Sequence, residues 1–260
     1  MVAANSVQTS VARRVVATGL CAALYTVVGI ATYLGIFAPG VGVVRFWPVV
    51  FIPAIFAIVF DPWIGGTGAA IGIFLSDLYV FYTTGETNPL LSLIAGVPAN
   101  LFGFYILGSI GRSKASWNGL KFIIPLILLG VSALSPFLYV EYMISIGIFD
   151  ISVRWVSTVF LVFAMVVFIL GLVGGRLRRD YLNYYVGGTL GLLFGAFWIG
   201  LGVWFYSQLF GLLPTGIRAD FAIAFGYFLW AFGTEIPFIL VVPPILDVIY
   251  KAYPFLKPVR

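Results

Sequence analysis

Five ionisable residues lie inside or beside long apolar runs of this sequence, where a charge is costly and is therefore a candidate for chemistry. They are Arg45, Asp77, Glu141, Arg154 and Glu235. A charged side chain at the centre of a membrane helix costs roughly 2.5–3.5 kcal/mol on insertion scales. Intramembrane charges accordingly pair with one another, bind a solute or carry a proton. Each of the five is a candidate for one of these roles.

Four of the five are predicted to lie at a similar depth, near the outer ends of their helices. One interpretation is an outward-facing polar pocket that binds a small solute. Three loops would close this pocket, at residues 35–46, 83–89 and 147–153. The other interpretation is two ion pairs, Arg45 with Asp77 and Arg154 with Glu141, which lock helices together and bind nothing. The sequence leaves both open, and side chains near the interface can also extend into water.

Two uncharged side chains complete the set of candidates. Asn100 stands near the middle of a predicted span, after Pro98. Because the proline frees a backbone carbonyl, Asn100 can bond to that backbone, to another helix or to a solute. Trp47 is predicted at a helix end, where an aromatic belt is also expected without any ligand.

Several kinds of chemistry find no support in the sequence. Histidine is absent and cysteine occurs once, which argues against haem, copper and zinc sites and against His-based triads. There is no phosphate-binding loop of the ATPase type, no zinc-protease motif and no Gly-x-Ser-x-Gly elbow. We therefore expect no catalytic residues, no cofactor and no metal, and the protein is not predicted to be an enzyme.

The amino-acid composition predicts the type of structure that holds these residues in place. Of 260 residues, 62% are hydrophobic and 9% are charged, whereas soluble domains carry about 25% charged residues. A chain of this length could not bury so much apolar surface away from water. The composition excludes soluble, disordered, coiled-coil and nucleic-acid-binding classes. It predicts an all-α polytopic integral membrane protein of the cell membrane, whose main partner is the lipid bilayer.

We predict about eight transmembrane helices, although six or seven are also compatible with the sequence. Their ranges are 13–34, 47–60, 63–82, 90–111, 119–146, 154–175, 184–210 and 219–250. The second is short, and the prolines of the fifth and eighth suggest kinks or an interfacial tail. Residues 1–260 form a single transmembrane domain, for which two four-helix halves, 13–111 and 119–250, are one possible division.

The distribution of basic residues predicts the orientation. With the N-terminus inside, Arg45, Arg154 and Arg218 are the outer ones among the 14 lysine and arginine residues. This asymmetry follows the positive-inside rule. Both termini are therefore predicted to be cytoplasmic.

One face of the first predicted span carries small residues at steps of three and four. They are Gly19, Ala22, Ala23, Thr26 and Gly29, and Ala17 and Cys21 form a second small pair four residues apart. Small residues allow another helix to approach closely. The face either packs within this chain or docks a separate membrane subunit.

Residues 1–110 resemble a known family in the order of several short motifs. These are Ala17-Thr18-Gly19-Leu20-Cys21-Ala22-Ala23-Leu24-Tyr25, Val44-Arg45-Phe46-Trp47-Pro48, Phe60-Asp61-Pro62-Trp63-Ile64-Gly65-Gly66 and Gly96-Val97-Pro98-Ala99-Asn100-Leu101-Phe102-Gly103-Phe104. The resemblance is to the substrate-binding (S) component of energy-coupling factor transporters. Members of that family usually have six helices and a shorter chain.

The resemblance implies a component that binds a small solute from outside and relies on a coupling membrane subunit and separate ATPases. The residues expected to contact the solute are Arg45, Trp47, Asp77, Asn100, Glu141 and Arg154. Two other functions remain open. One is a non-catalytic structural or accessory subunit of a larger membrane complex. The other is an independent secondary transporter, in which Glu235 or Asp77 couples transport to protons.

Overall fold

Every regular element that the structure describes is a helix. The computed structural model describes residues 11–34, 47–85, 87–113, 182–211, 218, 220–239 and 242–257, with isolated residues between 130 and 165. The helices in these ranges are α1 (Val11–Leu34), α2 (Pro48–Val59), α3 (Pro62–Thr84), α4 (Pro89–Gly111), α5 (Leu182–Phe210), α6 (Phe221–Ile239) and α7 (Val242–Ala252). The predicted all-helical class is confirmed for this part of the chain.

Four of these helices are long and apolar enough to cross a membrane, namely α1, α3, α4 and α5. An apolar helix of about 20 residues spans the hydrocarbon core. The chain is therefore a helical, multi-pass membrane protein. Each of the four corresponds to a predicted span, whereas the predicted spans at 119–146 and 154–175 fall largely outside the described residues.

The second predicted span is shorter than a full membrane crossing, and the last one is described only in part. Helix α2 has 12 residues and a length of about 18 Å, which is less than the roughly 30 Å of the hydrocarbon core. The span predicted at 219–250 contains α6 and α7, and residues 240–241 between them lie outside the described residues, so a single kinked span stays a prediction. Pro243 and Pro244 lie near the start of the described part of α7.

Local signals in the sequence begin and end α3 and α4. The Asp61 carboxylate accepts a hydrogen bond from the Trp63 N–H at 2.9 Å, ahead of a proline at the first position of α3. Gly85 ends α3 with φ +72°, a conformation in which glycine is strongly favoured. Three residues later, Asn88 caps α4 by accepting from the Leu90 N–H at 2.8 Å. The turn between the two helices is short because a C-cap and an N-cap are placed almost back to back.

Small residues set the pairing of α1 with α3. Gly68 lies against Cys21, and Gly72 lies against Ala22 and Tyr25, so residue numbers rise together along both helices. The two helices are therefore parallel, with α2 returning the chain between them. In the next three pairs of helices, residue numbers rise along one helix as they fall along the other. Helix α4 is therefore antiparallel to α3, α5 is antiparallel to α4, and α6 is antiparallel to α5.

The contact between α4 and α5 depends on a row of glycines that the sequence reasoning did not single out. Gly187, Gly191 and Gly195 follow one another at steps of four along α5. Their Cα atoms lie against the α4 backbone near Leu107, Gly103 and Ala99 respectively. Such spacing places small residues on one helix face and lets two backbones approach closely. The backbones of α4 and α5 are therefore in close contact.

Two prolines free backbone carbonyls that neighbouring aromatic residues satisfy. Pro98 has no N–H for the Ile94 carbonyl, which instead accepts from the Trp198 indole N–H at 3.0 Å. Pro243 stands four residues after Ile239, whose carbonyl accepts from the Tyr184 hydroxyl at 2.6 Å. Each break in a helix is thereby compensated by a side chain from α5.

We expect Tyr184→Phe to lower the stability of the protein by about 1–3 kcal/mol, because it leaves the Ile239 carbonyl buried without its side-chain donor. Tyr184 is 1% exposed. The measurement is the thermal unfolding midpoint of the purified chain in detergent. Tyr82→Phe, at a position 78% exposed on α3, is the matched control and should leave the midpoint unchanged. Equal midpoints for the two variants would contradict this account.

Candidate functional site

A cavity of about 80 Å³ lies among α3, α4, α5, α6 and Trp47, which precedes α2, toward the end of the bundle where α3 ends and α4 begins. Its lining residues are Trp47, Ile73, Asp77, Thr87, Asn88, Leu91, Ser92, Ala95, Gly96, Asn100, Ile199, Val203 and Glu235. Apolar walls with a few convergent polar groups are typical of small-molecule sites. The polar groups come from α3, α4, α6 and the turn between α3 and α4.

Asp77 reaches the cavity from the last turns of α3. Its side chain is 8% exposed. The Thr87 hydroxyl donates to the Asp77 backbone carbonyl at 2.7 Å, so the turn that follows Gly85 is held down against α3. This bond positions Thr87 and Asn88 at the cavity beside Asp77.

The first turns of α4 are not a regular α-helix where they line the cavity. Residues Ser92–Gly96 form a π-helical turn, which ends with the Val97 N–H bonded to the Ser92 carbonyl. Single π-turns inside α-helices often mark functional sites, because they change the direction in which side chains point. Ser92, Gly96 and Asn100 all line the cavity.

The Asn100 side chain is held from two sides. Its Nδ2 donates to the Gly96 carbonyl at 2.9 Å, and its Oδ1 accepts from the Tyr25 hydroxyl at 2.8 Å. The Tyr25 ring meets the Trp47 ring edge-on, with centroids 5.9 Å apart. Trp47 is 4% exposed and packs against Gly29, where a Cβ would overlap the indole. The amide and the indole are thus fixed by neighbours from α1.

Glu235 enters the cavity from α6. Among the described residues no hydrogen bond or ion pair joins its carboxylate to another group. Asp77 and Glu235 come from helices far apart in sequence, and both line the same space. Two acidic side chains therefore share one membrane-embedded cavity.

Two residues predicted to contact solute lie elsewhere. Arg154 forms a bidentate pair with Glu141, Nε to Oε1 at 3.0 Å and Nη2 to Oε2 at 2.9 Å, and neither residue lines the cavity. This is the ion pair that the sequence offered as an alternative. Arg45 lies outside the described residues, so the proposed pairing of Arg45 with Asp77 stays a prediction.

The small-residue face of α1 divides into two parts. Ala17, Cys21 and Ala22 are buried inside the chain, and the Thr26 hydroxyl donates to the Ala22 carbonyl at 2.8 Å and lies 3.1 Å from the Gly72 carbonyl of α3. Gly19 and Ala23 face outward. Internal packing accounts for the first part, and the second part remains as an outer surface.

The sequence reasoning missed Ser92 and the turn residues Thr87 and Asn88. A usable signal was present, because Ser92, Gly96 and Asn100 are spaced by four and fall on one helix face. The sequence did not show that this helix face and Asp77 line the same cavity.

No family model, curated protein or solved structure matches this chain.

Proposed function

We propose that this chain is the membrane-embedded solute-binding component of an uptake transporter, similar to the S component of energy-coupling factor systems. The observation that carries the proposal is the cavity between four helices and Trp47, which Asp77, Asn100 and Glu235 all line. Intramembrane ionisable residues that face a cavity commonly mark the path of a solute. A cavity of this kind suits a small polar molecule.

The charges of the bundle support entry from outside. Arg13 and Arg14 open α1, and Arg112 follows the end of α4. Because α4 runs antiparallel to α1 and α3, these basic residues share one end of the bundle, and the cavity lies toward the other. By the positive-inside rule the basic end is cytoplasmic. The proposal accordingly includes cytoplasmic termini, about eight spans and a cavity reached from the outer face of the cell membrane.

Energy would come from partner proteins. The sequence contains no phosphate-binding loop, so ATP hydrolysis would belong to separate ATPases. The outward part of α1, at Gly19 and Ala23, is the surface where a coupling membrane subunit would pack. Under this proposal the docking face predicted from the sequence is reduced to Gly19 and Ala23, which are exposed on α1.

Native mass spectrometry of the protein, extracted gently from its own membranes, tests the proposal. We expect a small molecule to be retained by the wild-type chain and lost from Asp77→Asn, since a hydrogen bond to a charged group contributes about 1.5–3 kcal/mol, roughly a tenfold to hundredfold change in affinity. Glu141→Gln is the matched control, because Glu141 does not line the cavity. It should retain the molecule.

The rival functions predict different results. A stable assembly with unrelated membrane subunits, and no small molecule in the wild type, would favour a structural subunit. Retention that is lost equally from Asp77→Asn and Glu141→Gln would show that the cavity is not the binding site. Uptake that depends on pH and is abolished by Glu235→Gln would instead indicate an independent, proton-coupled transporter.

A further inference from the structure

We propose that the segment from Val248 to Lys257 binds acidic phospholipids at the edge of the membrane. Its lysines contact the phosphate groups of the lipids, and its aromatic side chains lie among the headgroups. This surface is outside the cavity, and the inference does not depend on the proposed function. Three observations carry it, namely the depth of the segment, the side chains that it exposes and its charge.

The segment follows the point at which α6 reaches one end of the bundle. Helix α6 has 19 residues and a length of about 28 Å, close to the roughly 30 Å of the hydrocarbon core. Its last residue, Ile239, accepts a hydrogen bond from Tyr184 in the first turn of α5, and Asn183 beside it donates to the Ser113 carbonyl just after α4. This is the end at which α1 and α3 begin. Helix α7, which begins three residues later, therefore starts near the edge of the hydrocarbon core.

One side of α7 packs on the bundle, and the other side is exposed. Val242 and Leu246 are buried, and the helix contacts α2. Val248 is 67% exposed, and beyond the helix Tyr253 is 55% and Phe255 is 81% exposed. Apolar side chains with this exposure are unfavourable in water but are accommodated at a bilayer surface, where aromatic rings lie among the headgroups. The exposed side therefore faces lipid.

A short turn brings the two exposed aromatic rings together. The Tyr253 N–H donates to the Ile249 carbonyl at 2.7 Å, which closes the last turn of α7, and Pro254 begins a 3₁₀ turn. The Tyr253 and Phe255 rings meet edge-on, with centroids 6.0 Å apart. Aromatic pairs at the interface anchor a segment at a defined depth. This pair therefore holds the lysines before and after it at the level of the headgroups.

The exposed end of the segment is basic. Lys251 lies in the last turn of α7, and Lys257 follows the 3₁₀ turn. Residues 251–257 contain no acidic side chain, and Asp247, one turn earlier, is only partly exposed. Both lysines are exposed, and neither makes an ion pair with another described residue. A basic residue beside an acidic membrane improves binding about fivefold, so two lysines give a clear preference for lipids with a net negative charge.

Native mass spectrometry of the purified full chain in a neutral detergent, titrated with lipid, tests the inference. The probes are phosphatidylglycerol, phosphatidylcholine with the same acyl chains, and glycerol 3-phosphate as the free headgroup. We expect the Kd of the first phosphatidylglycerol bound to be at least tenfold below that of phosphatidylcholine. Equal affinity for the two lipids would overturn the inference. Displacement of phosphatidylglycerol by glycerol 3-phosphate would also overturn it, because the site would then bind free phosphate.

Two pairs of substitutions separate the roles of charge and ring. Lys251→Gln combined with Lys257→Gln should raise the Kd of phosphatidylglycerol at least tenfold and change that of phosphatidylcholine less than twofold. Arginine at both positions should preserve the preference, since it keeps the charge. Tyr253→Ala combined with Phe255→Ala should raise the Kd of both lipids severalfold. Tyr82→Ala, at an exposed aromatic position on α3 near the other end of the bundle, is the matched control and should change neither.

Arg13→Gln combined with Arg14→Gln is the matched control for charge. It removes two positive charges at the same end of the bundle, from a part of α1 without aromatic side chains, and should raise the Kd of phosphatidylglycerol less than threefold. A loss as large as that from the two lysines, or an unchanged preference without the lysines, would overturn the assignment to this segment. Retention of solute tests the proposed function separately, because none of these substitutions touches the cavity.

Discussion

Replacing Gly191 by alanine is expected to destabilise the protein by about 1–3 kcal/mol, the usual cost of overpacking a close contact. A Cβ at this position would overlap the Gly103 carbonyl oxygen of α4 and would also press on Leu107. Because the obstacle is backbone, it cannot move aside as a flexible side chain would. Unfolding of the purified chain in detergent, by heat or by denaturant, measures the effect.

Gly19→Ala is the matched control for this prediction. Gly19 also lies inside a membrane-spanning helix, but a Cβ there would meet nothing within 4 Å. Its replacement should leave stability unchanged or raise it slightly, since alanine favours helix more than glycine does. A loss of stability at Gly19 as large as that at Gly191 would show that helix propensity, and not the contact of α4 with α5, determines the result.

Trp47→Ala is expected to cost about 3–5 kcal/mol, the range found when a buried aromatic side chain is truncated. Trp47 is 4% exposed and occupies the space that Gly29 leaves open. Its loss would also release Tyr25, whose hydroxyl holds the Asn100 amide at the cavity. We therefore expect solute binding to fall together with stability.

The comparison for Trp47 is Trp63→Ala, since Trp63 is 51% exposed at the start of α3. Truncation there removes little buried area and should cost well under half as much. The unfolding midpoint and the retention of solute in native mass spectrometry are the two readouts. Comparable losses for both tryptophans would contradict the burial argument, and solute retention in Trp47→Ala would contradict the role of Trp47 in the cavity.

The existence of most helices could be predicted, because hydropathy and caps are properties of short segments. Asp61-Pro62 and Asn88-Pro89 begin helices where the sequence indicates, and α2 is as short as expected. For the last predicted span, the prolines before Ile245 indicate a kink, and residues 240–241, which would distinguish a bent helix from two helices, lie outside the described residues.

Pairings between helices were harder to predict, because no single segment encodes its neighbour. Hydropathy placed Asp77 and Glu141 at one depth, yet only Asp77 lines the described cavity, since depth does not specify the lateral position in a bundle. The glycines of α5 were visible as a row, but not the helix against which they pack. Ser92 was not identified because the hydroxyl of a serine in a membrane helix usually donates a hydrogen bond to a backbone carbonyl of the same helix.

The shortness of α2 has an electrical consequence. Its C-terminal end lies level with the start of α3, where Gly65 and Gly108 pack against Ala57. Trp47, at its other end, therefore stands about 18 Å from that level, roughly 12 Å short of a full 30 Å crossing. Under the proposed function and orientation, a solute that binds beside Trp47 has passed through part of the membrane field, and each of its charges is worth about 2.3 kcal/mol per 100 mV across the whole membrane. A potential that is negative inside would then favour the binding of a cationic solute and oppose the binding of an anionic one.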